Sequence, residues 1–232
     1  DLANYTITGQ VSTTATISHK ALIVSGLVAD SRVYDGTTAA TVTTSNAMLS
    51  GLLANDVVSV TATGTFADKN VGNGKTVTLT SSYTGADVGN YAITNQATST
   101  ANITPKALTI AGITAANKTY DGGNVATMDT TAVTRTGLVN GDTVTVSATG
   151  TFNNENVANG KTVTISSTYG GADVNNYTIT GQATTTANIT PLDVTLSGST
   201  GVNKVYDATT AMPADTVGYG SLGSANSTVL AA

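Results

Sequence analysis

The chain has 232 residues, a net charge of −5 and nine lysines and arginines in all. It therefore lacks the basic face needed to displace counterions from nucleic acid or to hold an anionic membrane. With no cysteine, one histidine and 10% charged residues, it excludes disulfides and thiol chemistry and carries little material for catalysis. Thr, Ala, Gly, Asn and Val dominate, and the β-branched members suit a pleated, half-buried surface rather than a disordered chain.

Residues 1–19 form the first copy of a segment that recurs at 87–105 and 173–191. Its Asn-Tyr pair falls at Asn4-Tyr5, Asn90-Tyr91 and Asn176-Tyr177, a spacing of 86 residues each time. Tyr34-Asp35, Tyr120-Asp121 and Tyr206-Asp207 keep the same spacing. The array predicts four parts: the end of a preceding repeat at 1–19, complete repeats at 20–105 and 106–191, and the start of a divergent repeat at 192–232. Beginning and ending in mid-repeat, the sequence reads as a window on a longer protein. It shows no signal peptide or membrane-spanning run, so no membrane insertion is expected of this segment.

Within the first repeat, alternation and turn signals predict strands near 21–29, 38–43, 56–66, 75–83, 90–95 and 97–104, with the second repeat offset by 86. Thr76-Val77-Thr78-Leu79-Thr80 shows the pattern, apolar on one face and hydroxylated on the other. Asp35-Gly36, Asn55-Asp56, Asn73-Gly74 and Asn95-Gln96 supply the turns. Six or seven short antiparallel strands per repeat predict an all-β fold of tandem sandwiches. Asp87, Tyr91 and Ile93, repeated at Asp173, Tyr177 and Ile179 and at Asp1, Tyr5 and Ile7, resemble the tyrosine corner of immunoglobulin-like domains. Pro105 and Pro191 mark junctions without a flexible linker. The first junction has His19 in place of proline. The expectation is a rod of immunoglobulin-like antiparallel sandwiches.

The Tyr-Asp-Gly after an opening strand, the Gly-Ala-Asp-x-x-Asn-Tyr-x-Ile-Thr segment and the closing Ala-Asn-Ile-Thr-Pro-Lys-Ala-Leu together resemble the YDG repeat family. The resemblance covers both full repeats and both end fragments, although Tyr206-Asp207-Ala208 lacks the glycine and the pattern drifts beyond Met212. It implies a stalk region of a secreted bacterial surface protein, such as a filamentous-haemagglutinin-like adhesin exported by two-partner secretion. Neighbouring repeats, extracellular polysaccharide or other cell-surface and matrix proteins are the partners it implies.

Candidate chemistry is sparse. Tyr34-Asp35-Gly36 and Tyr120-Asp121-Gly122 read either as ligand loops, with a ring for sugar stacking beside a carboxylate, or as tight turns; the Asp-Gly pair favours the turn. Gly74-Lys75-Thr76 and Gly160-Lys161-Thr162 imitate the end of a phosphate loop. Lys69 and Glu155 stand where a further glycine is required and a strand follows, so both read as hairpin turns. Asp35, Asp56 and Asp87, matched by Asp121, Asp142 and Asp173, are the positions from which a calcium ion would draw oxygens, without any Asp-x-Asp-x-Asp-Gly loop. An isopeptide bond from Lys75 or Lys106 needs a buried carboxylate, and Glu155 has no counterpart in the first repeat. Six Asn-x-Ser/Thr triplets follow from composition. No enzyme and no cofactor is expected. Three functions remain: a structural spacer, a weak binding module multiplied by repetition, and a self-assembling filament subunit.

Overall fold

The computed structural model describes residues 1–6, 8, 9, 12–194, 205, 206 and 208. Of the expected final fragment, 192–232, almost all lies outside the described residues, including Asp207 of the third Tyr-Asp pair. The chain is all-β, with short 3-10 turns as its only helical elements among the described residues. No helix there is long and apolar enough to cross a membrane.

The first repeat has ten strands: β1 (Lys20–Ser25), β2 (Val28–Ala29), β3 (Arg32–Val33), β4 (Ala39–Ala40), β5 (Val42–Thr43), β6 (Met48–Ser50), β7 (Ser59–Phe66), β8 (Gly72–Thr84), β9 (Tyr91–Thr94) and β10 (Thr98–Thr104). The second repeats them as β11 (Lys106–Ala111), β12 (Thr114–Ala115), β13 (Lys118–Thr119), β14 (Val125–Ala126), β15 (Met128–Asp129), β16 (Thr134–Thr136), β17 (Thr145–Phe152), β18 (Ala158–Gly170), β19 (Tyr177–Thr180) and β20 (Thr184–Thr190). Each has a five-stranded sheet, in the order β3-β10-β8-β7-β4 and β13-β20-β18-β17-β14, and a three-stranded sheet, β6-β1-β9 and β16-β11-β19. Two-stranded sheets, β2-β5 and β12-β15, complete them.

Several expectations need correction. Each repeat has ten strands rather than six or seven, and 38–43 divides into β4 and β5, which belong to different sheets. The sheets are not wholly antiparallel: β1 runs parallel to β9, and β3 and β13 run parallel to β10 and β20. Strand alternation reports which face is buried and carries no information on a partner's direction. The segment 21–29 is not one strand, because the backbone turns at Gly26 with φ +78°. Its carbonyl-lined surroundings leave no space for a side chain: a Cβ would lie 2.4 Å from the Asn46 carbonyl oxygen. Finally, Gly74-Lys75-Thr76 is not a hairpin turn. It lies inside the long strand β8, where the register against β10 shifts between Ala101 and Ile103. Asn102 fills the irregularity by accepting the Gly74 N–H at 2.7 Å, and Asn188 does the same for Gly160 at 2.7 Å.

Packing follows the alternation. In the second repeat Ala126, Phe152, Val163, Ala187 and Ile189 form a buried cluster, flanked by Tyr120 and Met128. In the first, Leu22, Val58 and Tyr91 gather Leu49, Leu52, Tyr83, Val88 and Ile93. Gln96 acts as a surrogate strand residue, accepting the Leu27 N–H at 3.0 Å and donating to the Leu27 carbonyl at 2.7 Å. Gln182 does this for Ile113. Burying Leu27 and Ile113 while pairing both their backbone groups removes the cost of unsatisfied polar atoms.

By compactness the chain divides into two units. Among the described residues, the first comprises those of Asp1–Lys106, Val139–Asp142 and Asn175–Thr178; the second comprises Ala107–Leu138, Thr143–Val174 and those from Ile179 onward. The first unit thus takes in two short loops from the second sequence repeat.

Candidate functional site

The polar centre of the first unit is Asp142, at the end of one of those loops, with a side chain only 2% exposed. A carboxylate that deep requires donors, and three converge on it. Tyr34 donates its hydroxyl to Oδ2 at 2.8 Å, Tyr177 donates to the same oxygen at 2.6 Å, and the Lys69 ammonium lies 2.9 Å from Oδ1. The Tyr177 hydroxyl also accepts the Val139 N–H at 2.9 Å, which fixes the loop. The two tyrosine rings meet edge to face with centroids 5.6 Å apart, a favourable arrangement of their quadrupoles. Beside them Asn176, buried, accepts the Val71 N–H at 3.0 Å and donates to Asn70 Oδ1 at 3.3 Å.

Protonation follows the bonding. Burial alone would push the Asp142 carboxyl up, but donation from Tyr177, Lys69 and Tyr34 outweighs it and holds the carboxyl below its usual range. Burial, then the bond to Asp142, raises the phenol of Tyr34 and pushes that of Tyr177 up to about 12.

The same position in the first repeat is Asp56. Here the Tyr91 hydroxyl donates to Oδ2 at 2.5 Å and accepts the Leu53 N–H at 3.1 Å. The bond to Asp56, then burial, raises the Tyr91 phenol. Asp87 turns the chain into the 3-10 element Val88–Asn90 and accepts the Val57 N–H at 2.8 Å. Asp173 accepts the Thr143 N–H at 2.9 Å. These tyrosines reach 35 and 38 residues upstream, whereas a tyrosine corner closes on backbone a few residues away. Next to Asp56 lies an open cleft of about 600 Å³, lined by Leu53, Asp56, Gly89, Asn90, Tyr91 and residues 17–20.

The Tyr-Asp-Gly segments are turns. Asp35 Oδ1 accepts the Thr37 N–H at 2.8 Å and its hydroxyl at 2.9 Å, and Arg32 pairs with the other oxygen. Asp121 accepts the Gly123 N–H at 2.9 Å and pairs with Lys118 at 2.6 Å. Gly36 and Gly122 take φ of +81° and +79°, which explains the glycine. Tyr34, at 1% exposure, presents no ring face for stacking a sugar; Tyr120 is half-buried on the Phe152 cluster. Lys75 pairs with Asp68 at 2.7 Å and Lys161 bonds Asn154 at 2.5 Å, each bridging seven residues across the same turn. Pro105 stands exposed as the single residue between β10 and β11, and Pro191 is exposed directly after β20.

Models of the YDG domain match the chain twice, at residues 18–101 and 104–187. The chain belongs to the YDG domain family. No curated protein and no solved structure matches it. The Tyr-Asp-Gly that marks the YDG repeats is therefore, in this chain, a turn whose tyrosine at position 34 is core. Sequence reasoning had Tyr34, Asp142 and Tyr177 in separate motifs. It missed that the first compact unit brings them together, along with Lys69 and Asn176. The available signal was the constant spacing of Asp56 and Asp142 together with a charge change, lysine at 69 and glutamate at 155, in a stretch where Ala67 and Asp68 also give way to Asn153 and Asn154. Among the described residues no three His, Cys, Asp or Glu side chains gather as a metal site would require.

Proposed function

We propose that these YDG repeats are stalk segments of a large secreted bacterial adhesin or biofilm-matrix protein, spacing or crosslinking its adhesive parts at the cell surface. The sandwich architecture expected from the sequence, immunoglobulin-like in its short strands and frequent turns, and its extension as a rod belong to this proposal. So does the absence of enzymatic activity.

The observation that carries the reading is the use of the signature residues. The side chains of Tyr34, Asp142 and Tyr177, from both sequence repeats, are buried and bonded to one another, and the partly exposed Lys69 pairs with the same carboxylate. The recurrence of 30 of the 42 residues of 64–105 at 150–191, at constant spacing, fits one packing requirement met twice better than two distinct recognition sites. A turn whose aspartate and glycine shape backbone, and whose tyrosine fills core, supports a mechanical role.

Electron microscopy of the purified chain, with its mass in solution, tests the proposal. Strands of seven to nine residues plus loops correspond to roughly 35–45 Å per repeat. Monomeric rods of a few such lengths are the expected result. Compact particles, or fibres of constant width growing without limit, contradict a simple spacer.

A further inference from the structure

The cleft beside Asp56 carries the receiving half of a contact that the chain makes elsewhere. Its lining residues Leu53, Asp56, Asn90 and Tyr91 stand 86 positions before Val139, Asp142, Asn176 and Tyr177. Those are the residues that meet Gly36, Tyr34, Lys69 and Val71. The supporting bonds are the same: Tyr91 to Asp56 as Tyr177 to Asp142, and Leu53 N–H to Tyr91 as Val139 N–H to Tyr177. Among the described residues the Asp56 carboxylate accepts Tyr91 alone, and a carboxylate has room for further donors. Leu53 keeps 55% of its surface exposed at the rim.

The inserting half is also duplicated. Tyr120 is anchored by its N–H to the Thr190 carbonyl at 2.9 Å, as Tyr34 is to Thr104 at 2.9 Å. The turns that follow share their aspartate cap and positive-φ glycine. Asn156 and Val157, the latter 46% exposed, stand where Asn70 and Val71 do.

We propose that the cleft beside Asp56 is a receptor for a Tyr-Asp-Gly turn, and that a second copy of this chain supplies that turn through Tyr120. The Tyr120 hydroxyl donates to Asp56, and Asn90 takes the backbone beside Asn156 as Asn176 takes that beside Asn70. One residue opposes the match. Exposed Glu155 replaces Lys69 and brings a carboxylate toward Asp56 where the filled site has an ammonium. Like charges at an interface select against a partner, so the native chain associates weakly and a charge reversal at 155 strengthens it. This inference goes beyond the spacer reading and stands on the cleft independently of it.

Sedimentation velocity of the full chain over a wide concentration range tests it. Glu155→Lys is expected to tighten self-association by roughly ten-fold or more. Adding Asp56→Asn to that variant removes the gain, and adding Tyr120→Phe, which keeps the ring and deletes the hydroxyl, reduces it. Circular dichroism melts establish that every variant is folded. Glu155→Lys associating no more tightly than the native chain overturns the proposal, as does a gain that survives Asp56→Asn.

Discussion

Around Asp142, two phenols and an ammonium converge on a carboxylate with 2% exposure, and an edge-to-face tyrosine pair closes the apolar side. Around Asp56, with the same tyrosine and the same loop N–H in support, one phenol donates and an open cleft lies alongside. The loops differ at 53–55 and 57 from their counterparts at 139–141 and 143, but the aspartate, its tyrosine and the bond from the loop N–H are shared, so the contrast lies in what reaches the carboxylate. A buried carboxylate is tolerated where charge-assisted bonds replace its lost hydration, and each donor removed leaves the others in a less favourable setting. The Asp142 region is therefore expected to tolerate substitution poorly, and the Asp56 region well.

The largest effect is expected from Tyr34→Ala, which empties a site with a fully buried ring. Loss of a buried aromatic costs about 3–5 kcal/mol, whereas Tyr120→Ala, at a half-buried ring, should cost clearly less in the same urea titration. Equal losses would mean that the two turns are equivalent after all. Next comes Asp142→Ala, which deprives two buried phenols of their acceptor and should cost about 2–4 kcal/mol by the measure of unsatisfied buried groups. Asp56→Ala is expected to cost about 1–2 kcal/mol, the scale of one bond to a charged group beside solvent. Lys69→Met sharpens the contrast further, with a loss of about 1–2 kcal/mol, against a change within about 0.5 kcal/mol for Glu155→Met at an exposed position.

The smallest effects are in pH. Asp142 has a folded value below its unfolded one, so its contribution is present above the unfolded carboxylate range and is lost as pH falls through the depressed value. Tyr177 has a folded value of about 12 against an unfolded 10.0, so its contribution is intact below the unfolded value and is lost as pH rises between the two. Melting temperature against pH should thus decline at both ends, and Asp142→Asn should flatten the acid limb. An acid limb unchanged in that variant would place the responsible carboxylates elsewhere.

Much of this architecture is legible in the residues. Alternation places 97–104 within one residue of β10 (Thr98–Thr104) and finds the end of β7 but starts it three residues early, at 56 rather than Ser59, since there one face is buried and the other wet. Met48–Ser50 was not found, because three residues carry no periodicity, and its pairing with β1 comes from the fold. The parallel partners of β9 and β10 were equally invisible, for side chains state the buried face and not the neighbour's direction. At the site, Tyr34, Asp35 and Gly36 announced a turn through glycine and aspartate chemistry, and that part was readable. The Tyr34–Asp142 bond joins residues 108 apart, and no local rule links a phenol to a carboxylate at that distance.

The most direct measurement is denaturant unfolding of Tyr34→Phe beside Tyr120→Phe, a change that removes one hydroxyl from each ring and leaves the packing in place. The account predicts that Tyr34→Phe loses about 1–3 kcal/mol, because Asp142 is deprived of a donor in a buried setting, while Tyr120→Phe stays near the native stability. Indistinguishable stabilities for the two variants would contradict it.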